Sequence, residues 1–484
     1  MSLARFPLSC LLAPLALAGC TLGPAQPPPP TINIPNAPLA DATPPVPDAW
    51  WRLYADPALD GLVAQALERN RDLRAGAAAV LEARALLGAR EDERQPQTAL
   101  TAGAGYGSTA TDQLAAALAQ TPVRTGPRYD LGFQLGWEVD LVGRLRQGVA
   151  AATADVAAAQ AVADGLRVVV AAATTRAYAD ACAYAARLAM ARRSVALLDQ
   201  GLDVRWRLRD AGAATPLDVA RAAALLDQAR AALPPLEAGR RNALYELAAL
   251  TGQPPDAVPD AAARCEAPPR LAGPLPLGDV TGLLRRRPDV RAAERRLAAS
   301  TARIGVAMAD LYPRVTLGAG VADSAPGING LSQSQNVVWS VGPLLSWRFP
   351  NVGAARAAIA GAQAHQAGDL ARFDAAILTA LKEVRQALAL YEAAEARRTA
   401  LAQATAHADE ALRLARLGRR SGAATALEVL DAERGAVTAD TDLATADAAV
   451  TDAEITLFKA LGGGWAEAPA VTPAATDHTR VSPS

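Results

Sequence analysis

Gly212-Ala-Ala-Thr-Pro-Leu-Asp-Val-Ala-Arg-Ala222 returns 210 residues later as Gly422-Ala-Ala-Thr-Ala-Leu-Glu-Val-Leu-Asp-Ala432, with seven of eleven positions identical and Asp218 matched by Glu428. In each copy a Gly closes an Ala-rich helical pattern and a Thr opens the next, which reads as a helix C-cap, a tight turn and an N-cap. The chain therefore carries two helical hairpins of one design. The residues around them have to be read as two repeats.

The hairpin arms are long. Residues 144–208 and 353–417 keep an unbroken helical pattern, and about 65 residues at 1.5 Å each span roughly 98 Å. In the second arm Leu370, Phe373, Ile377, Leu381, Val384, Leu388 and Tyr391 step by three and four, a stripe that needs a partner helix. The partners are the return helices, 216–250 and 425–461. Pro234-Pro235 breaks or kinks the first of these, whereas the second holds Gly435 but no Pro, so the halves are similar rather than equal. A second match, Asp72-Leu73 and Pro96 against Asp289-Val290 and Pro313, runs at an offset of 217. It makes residues 72–96 and 289–313 equivalent helices stopped by Pro, the first lying in a helical stretch from Pro57 to Arg94 that Trp50 and Trp51 open.

Each Pro leads into strands. Tyr129, Leu131, Phe133, Leu135, Trp137, Val139 and Leu141 alternate with Asp130, Gly132, Gln134, Gly136, Glu138 and Asp140. Val337, Trp339, Val341, Pro343, Leu345, Trp347 and Phe349 repeat the pattern, and both sets read as two-faced strands, 129–141 and 337–349. Their partners are strands 98–107 and 314–322, joined to them by polar, Gly- and Pro-containing loops, 108–128 and 323–336. A half-buried soluble sheet shows the same alternation. The lengths also suit transmembrane strands of about 9–11 residues, with Tyr129, Trp137, Trp339, Trp347 and Phe349 as membrane-interface aromatics. Four strands cannot close a barrel, and lipid does not tolerate an open edge, so that reading demands several chains.

The N-terminus is a targeting segment: Arg5, an apolar run from Leu8 to Leu17, and the small-residue site Leu17-Ala18-Gly19-Cys20. Residues 27–30, 44, 45 and 47 are Pro, which makes an extended arm. The boundaries are thus a signal peptide 1–19, a Pro-rich arm 20–49, a first repeat 50–252, a linker 253–276, a second repeat 277–465 and a disordered tail 466–484.

A net charge of −1 over 484 residues gives no nucleic-acid footprint. Three His and three Met are scattered, so no metal site and no cofactor is expected. No Ser-His-Asp order or Cys-His pair emerges, and Gly103-x-Gly105 precedes no nucleotide-binding helix; the reading is not an enzyme, with no catalytic residues. Cys182 and Cys265 could pair in an oxidising compartment, but one falls in a helix pattern and the other in a loop, which argues against a bridge.

Leu-Ala-Gly-Cys resembles the bacterial lipobox, in which Cys20 becomes lipidated. With Trp50-Trp51 to Asp56-Pro57, Arg287-Pro288-Asp289-Val290-Arg291-Ala292-Ala293-Glu294, Ala309 to Pro313, Trp137 to Leu141 with Gly143-Arg144, Leu233-Pro234-Pro235-Leu236-Glu237 and Leu427 to Ala432, the chain resembles the TolC-like outer-membrane efflux proteins, and among them the NodT-type lipoproteins. The resemblance covers residues 50–465. It implies an α+β membrane fold: a homotrimer with a 12-stranded transmembrane β-barrel, four strands per chain, continued by a periplasmic α-helical barrel. It implies an outer-membrane location with a lipid (palmitate) anchor, an RND-type inner-membrane pump, and a periplasmic adaptor (membrane fusion protein) that docks at the turns around Arg209, Gly212, Thr215, Arg419, Gly422 and Thr425. Leu427, Glu428 and Asp431 resemble the family's periplasmic gate, with Glu428 and Asp431 three apart on one helix face; ordinary solvated acids near a helix N-terminus are the plainer reading. The function implied is the exit duct of a tripartite multidrug efflux system. A protein or oligosaccharide secretion duct and a lipid-anchored coiled-coil scaffold are the alternatives.

Overall fold

The structure is a computed structural model that describes residues 22–32, 44, 46–108, 110–334 and 336–464. Cys20, the signal peptide and the tail from 466 lie outside the described residues. The helices are α1 (Pro57–Arg69), α2 (Arg71–Asp92), α3 (Ala110–Ala119), α4 (Arg144–Asp210), α5 (Pro216–Ala231), α6 (Leu233–Leu250), α7 (Asp260–Ala263), α8 (Val280–Arg286), α9 (Pro288–Ala309), α10 (Gly353–Ser421) and α11 (Ala426–Ala460). The strands are β1 (Gln97–Gly107), β2 (Gly126–Val139), β3 (Arg314–Ala325) and β4 (Val337–Ser346).

The chain forms two compact units. One contains Glu82–Ala157 and Glu294–Arg372 with the chain up to Pro29; the other contains Pro30–Leu81, Ala158–Ala293 and Phe373–Ser484.

The first unit holds one antiparallel sheet in the order β1-β2-β3-β4. Its register sets Leu131 between Ala102 and Asp323, and Trp137 opposite Leu317, which pairs onward with Pro343. One face across the sheet is therefore mostly apolar, with Asp323 entering it beside Leu131, and Asp130, Gln134 and Glu138 share the other. β1 and β4 are each paired on one side only, and β1 is exposed along its whole length. Five strand limits differ from the sequence reading, β1 beginning one residue early at Gln97 and β2 ending two early at Val139. β2 begins at Gly126 because Pro127 and Gly126 still find Tyr106 and Gly107 opposite, and β3 runs on to Ala325 opposite Tyr129. β4 stops at Ser346, since its partner β3 begins at Arg314 behind Pro313, which leaves Trp347 and Phe349 beyond the strand. The 108–128 loop also contains a helix, α3, built from Ala and Leu rather than turn residues.

At the base of the sheet the chain enters α4 through a tight set of polar contacts. Arg144 donates to Glu138 through Nη2 and Nε at 2.7 and 2.8 Å, and Asp140 accepts from the Leu145 and Arg146 amides at 3.1 Å, capping the helix. The N-terminal arm reaches the same place: the Leu22 amide donates to the Val142 carbonyl at 3.1 Å, and Gln147 donates to the Leu22 carbonyl at 3.3 Å.

The second unit is built on a cluster in which Trp50, fully buried, stacks on Phe458 with centroids 4.8 Å apart, surrounded by Leu59, Val63, Leu247, Ile455 and Leu457. The helical stretch from Pro57 breaks into α1 and α2 at Asn70, whose side-chain Oδ1 caps α2 by accepting from the Asp72 and Leu73 amides. An N-cap residue takes extended backbone, so a continuous helix is excluded there. Arg287 stands at the same break between α8 and α9, at the 217 offset. Both side chains are buried, and both hold the end of a return helix: Asn70 donates to the Leu250 carbonyl at 3.1 Å, and Arg287 to the Ala460 carbonyl at 2.9 Å. Pro234-Pro235 divides the first return helix into α5 and α6, while α11 is continuous.

The expectation against a Cys182–Cys265 bridge is overturned: the two are disulfide-bonded, with Cα atoms 5.1 Å apart. The linker is not loose. Arg240 donates to the Ala263 carbonyl at 2.6 Å, Thr451 to the Pro269 carbonyl at 3.3 Å, and the Ala272 amide to the Leu53 carbonyl at 3.1 Å, so Cys265 is carried onto buried Cys182. Replacing both cysteines by Ala should lower the unfolding free energy by about 4.5 kcal/mol, the loop-closure value for a separation of 83 residues, read as a lower melting temperature by circular dichroism.

Like Asp164 on α4, Glu454 on α11 is a buried carboxylate of this unit. Tyr54, itself buried, donates to its Oε2 at 3.0 Å; Tyr391, Glu395 and Arg398 of α10 and Asp452 are the other titrating groups around the pair. Burial pushes the Glu454 carboxyl up from 4.5 to about 7; Glu395 adds to the shift, while the Tyr54 hydrogen bond and Arg398 oppose it. Because the folded pKa is raised, stability is greatest below pH 4.5 and falls as pH climbs through 7. The loss is about 3 kcal/mol. Glu454→Gln should match the native chain near pH 4.5 and melt at a higher temperature at pH 8; equal melting at pH 8 would refute the buried charge.

Candidate functional site

The two turns are built alike. In the first, the Gly212 amide donates to the Arg209 carbonyl at 2.9 Å and the Ala213 amide to the Leu208 carbonyl at 2.7 Å. In the second, Gly422 donates to Arg419 at 3.4 Å and Ala423 to Gly418 at 2.8 Å. This pair of bonds closes a helix through a left-handed residue, and Gly212 and Gly422 sit at φ +73° and +79°.

Thr215 and Thr425 then start α5 and α11 with reciprocal caps. The Thr215 amide and hydroxyl donate to Asp218 at 2.9 and 2.7 Å, and the Asp218 amide donates back to Thr215 Oγ1 at 3.3 Å. Thr425 and Glu428 repeat this at 2.6, 2.9 and 3.2 Å. The Thr215 and Thr425 backbone amides, then their hydroxyls, hold the Asp218 and Glu428 carboxyls below their ordinary range, so both tips keep a negative charge. Thr-x-x-Asp and Thr-x-x-Glu are readable in the sequence as capping boxes, a signal that the gate reading of Glu428 passed over.

The other expected residues diverge. Asp431 is exposed and makes no hydrogen bond or ion pair among the described residues, and Leu427 is 60% exposed. Leu430, which sequence reasoning did not single out, turns inward onto α4 at Gly201. Arg209 lies 4.0 Å over the Trp206 ring and 2.6 Å from Asp210, whereas Arg419 is exposed. Sequence spacing held no sign of the Arg209–Trp206 stack beyond their i,i+3 positions.

In the sheet unit the expected aromatics fall into two equivalent pairs. Tyr129 and Trp339 differ by 210 residues, as do Trp137 and Trp347. Within each pair of rows the rings are eight residues apart on one face, about 26 Å along a strand. Trp137 donates to the Arg94 carbonyl at 3.0 Å and Trp347 to the Leu311 carbonyl at 3.1 Å, in each case the second residue before the Pro that stops the helix. Phe349 stacks on Trp347 at 4.7 Å. Indole rings with a satisfied N–H and an exposed apolar body suit the boundary between lipid and water.

A family profile described as outer membrane efflux protein matches residues 62–253 and 281–463, one stretch for each repeat. The chain belongs to that family. Outer membrane protein OprJ of Pseudomonas aeruginosa is 30% identical over 96% of this chain and 96% of its own. Nodulation protein T of Rhizobium leguminosarum bv. viciae is 28% identical over 97% and 95%. The solved outer-membrane channel OprN is 34% identical, with a TM-score of 0.82 over 92% of this chain and all of its own. This efflux protein therefore has the α+β fold of the outer-membrane channels, is located in the outer membrane, and serves as an exit duct there.

The caps make a local expectation for this efflux protein. Thr425→Ala should speed amide exchange about fivefold over the first turn of α11 by removing one N-cap, while the middle of the helix stays protected. Uniform loss of protection along α11 would contradict a purely terminal role.

Proposed function

We propose that three copies of the chain close one duct, each giving four strands to a 12-stranded barrel, and that the two turns form its periplasmic end. The observation that carries this is the pair of open edges: β1 and β4 expose backbone groups that hydrocarbon cannot satisfy, and pairing β1 of one copy with β4 of the next removes every edge. Along strands tilted by about 40°, the roughly 26 Å between the two rows of aromatics covers about 20 Å of membrane depth, which fits within an apolar band about 25 Å tall.

In this reading Cys20 carries a covalent lipid. Leu22, two residues on, is tied to Val142 and Gln147 beside the base of the sheet, which supports an anchor at the periplasmic side of the outer membrane. The duct conducts passively and carries no catalytic step. It works with a periplasmic adaptor and an inner-membrane pump of the RND type, the adaptor engaging the turns at Arg209, Gly212, Thr215, Arg419, Gly422 and Thr425. Exposed Leu427 and Asp431, a turn apart on α11, supply the bulk and charge of the aperture, and Glu428 adds charge while capping its helix.

Purified from outer membranes, the full chain should migrate as a trimer and form channels in planar bilayers. Leu427→Ala combined with Asp431→Ala should raise single-channel conductance and weaken cation preference. Unchanged conductance and selectivity would sink the aperture assignment, and a monomer without channel activity would sink the duct as drawn.

A further inference from the structure

The two repeats differ in charge and in volume at the foot of their second strands. In the first, Arg144 holds Glu138 at 2.7 and 2.8 Å, and Leu145, 3% exposed, fills the space beside them. The 210 offset makes Arg348, Ala354 and Ala355 their counterparts. The acid has become a base, its partner has lost its charge, and two larger side chains have been cut back to methyl groups. What the first repeat fills, the second leaves as a cavity of about 170 Å³. Volume removed at two adjacent positions is recovered only in part by relaxation of the surroundings.

Two guanidinium groups line that cavity. Arg314 is held by Asp310, whereas Arg348 is exposed and makes no hydrogen bond or ion pair among the described residues. Ser346 and Asn351 add side-chain donors, and Ala354, Ala355 and Ala358 form an apolar wall. Arg314 pairs with Ser346 and stands two residues from Thr316, which lies opposite Glu138, so the cavity opens on the polar face of the sheet. One unpaired cation, neutral donors and a short apolar wall suit an anion with a small apolar body. The volume is below the roughly 300 Å³ of drug-sized sites, so the occupant is a small acid or the acidic end of a longer molecule.

A carboxylate from the next copy is the rival for Arg348. Glu93 is the counterpart of Asp310 at the 217 offset, and across the closed barrel it would approach the start of α10 as Asp310 approaches Arg144. Arg144 nonetheless pairs with Glu138 and not with Asp310, and Glu93 is already bound to Arg90 at 2.6 Å. That leaves the charge of Arg348 to a solute.

We propose that Arg348 and its cavity bind small organic carboxylates on the wall of the bore, at the foot of the sheet, and so favour anionic cargo. Its place on the bore rests on the duct reading above, whereas the cavity and its charge belong to one chain.

Benzoate is the probe, with benzylamine as a cation of similar size. Binding to the full chain in non-ionic detergent is followed by ligand-observed NMR, interruption of single-channel current is followed in planar bilayers, and the melting temperature of each variant is measured alongside. Benzoate should bind with a Kd on the order of 1 mM and interrupt the current at that concentration, while benzylamine does neither. Arg348→Ala should weaken binding about tenfold, and Arg348→Lys should keep part of it. Arg348→Glu with Ala354→Arg installs the pair of the first repeat, and should abolish binding and block while leaving the melting temperature in place. Benzoate binding that survives Arg348→Ala and the double variant, or equal binding of benzylamine, overturns the site. Equal losses of melting temperature in Arg348→Ala and Glu93→Gln would assign Arg348 to an ion pair between copies and overturn it too. Binding that depends on Arg348 but never touches the current removes the site from the bore. A chain that binds benzoate through Arg348 yet forms no channel would sink the duct reading and leave the carboxylate site standing.

Discussion

A backbone N–H or C=O group in hydrocarbon has no water to turn to, so every strand edge that enters lipid must find another strand. That constraint governs this chain. Its sheet ends in β1 on one side and β4 on the other, each with a full row of unpaired groups, so the membrane part has no stable closed form as one copy. A soluble sandwich would cover such edges or bury one face, and here the apolar face is the exposed one, with Phe133, Trp137, Val321 and Trp339 all open. The long helices inherit the same need, because an Ala-rich helix with a narrow apolar stripe holds its shape only against neighbours.

Duplication is the means by which the chain meets the constraint, and its conserved contacts separate the frame from the parts free to differ. Asn70 and Arg287 use different chemistry for one job, holding the C-terminus of a return helix from a buried break between two helices. Trp137 and Trp347 do likewise at the base of the sheet. Departures fall on both copies, with Pro234-Pro235 and the disulfide-bonded Cys182 in the first and a set of larger or ionisable residues in the second. Leu244, Ala181 and Leu188 of the first half become Glu454, Tyr391 and Arg398, and Ala220 becomes Leu430. An apolar residue serves at position 244, so the carboxylate at 454 is not required by packing, and both departures lie on α11 or against it.

Much of this was legible before any coordinates. The repeats, the Gly and Thr of the two turns, the strand alternation and the break at Pro234-Pro235 all follow from rules that act over a few residues: left-handed backbone for Gly, side-chain caps for Thr, alternate faces along a strand, a missing donor at Pro. Where sequence reading went astray, the cause was also physical. Asn70 looked like one more helical position, yet its side chain outcompetes the backbone for the Asp72 and Leu73 amides. The bridge between Cys182 and Cys265 was judged from a helix and a loop taken separately, and what joins them is a linker pinned by Arg240, Thr451 and Leu53 from three other segments.

The sequence by itself therefore determined the two hairpins, their tips, the four strands and the need for more than one chain, because each of these is written in spacing along the backbone. Only the tertiary structure decided the disulfide, the elevated proton affinity of Glu454 and the seating of Leu430 on Gly201. Those depend on which face of one helix meets another and at what height, and the rotation and axial register of two long helices are fixed by packing between residues as far apart as 201 and 430. Local patterns name the stripe that will be buried, but the partner that fills it is chosen by the assembled core.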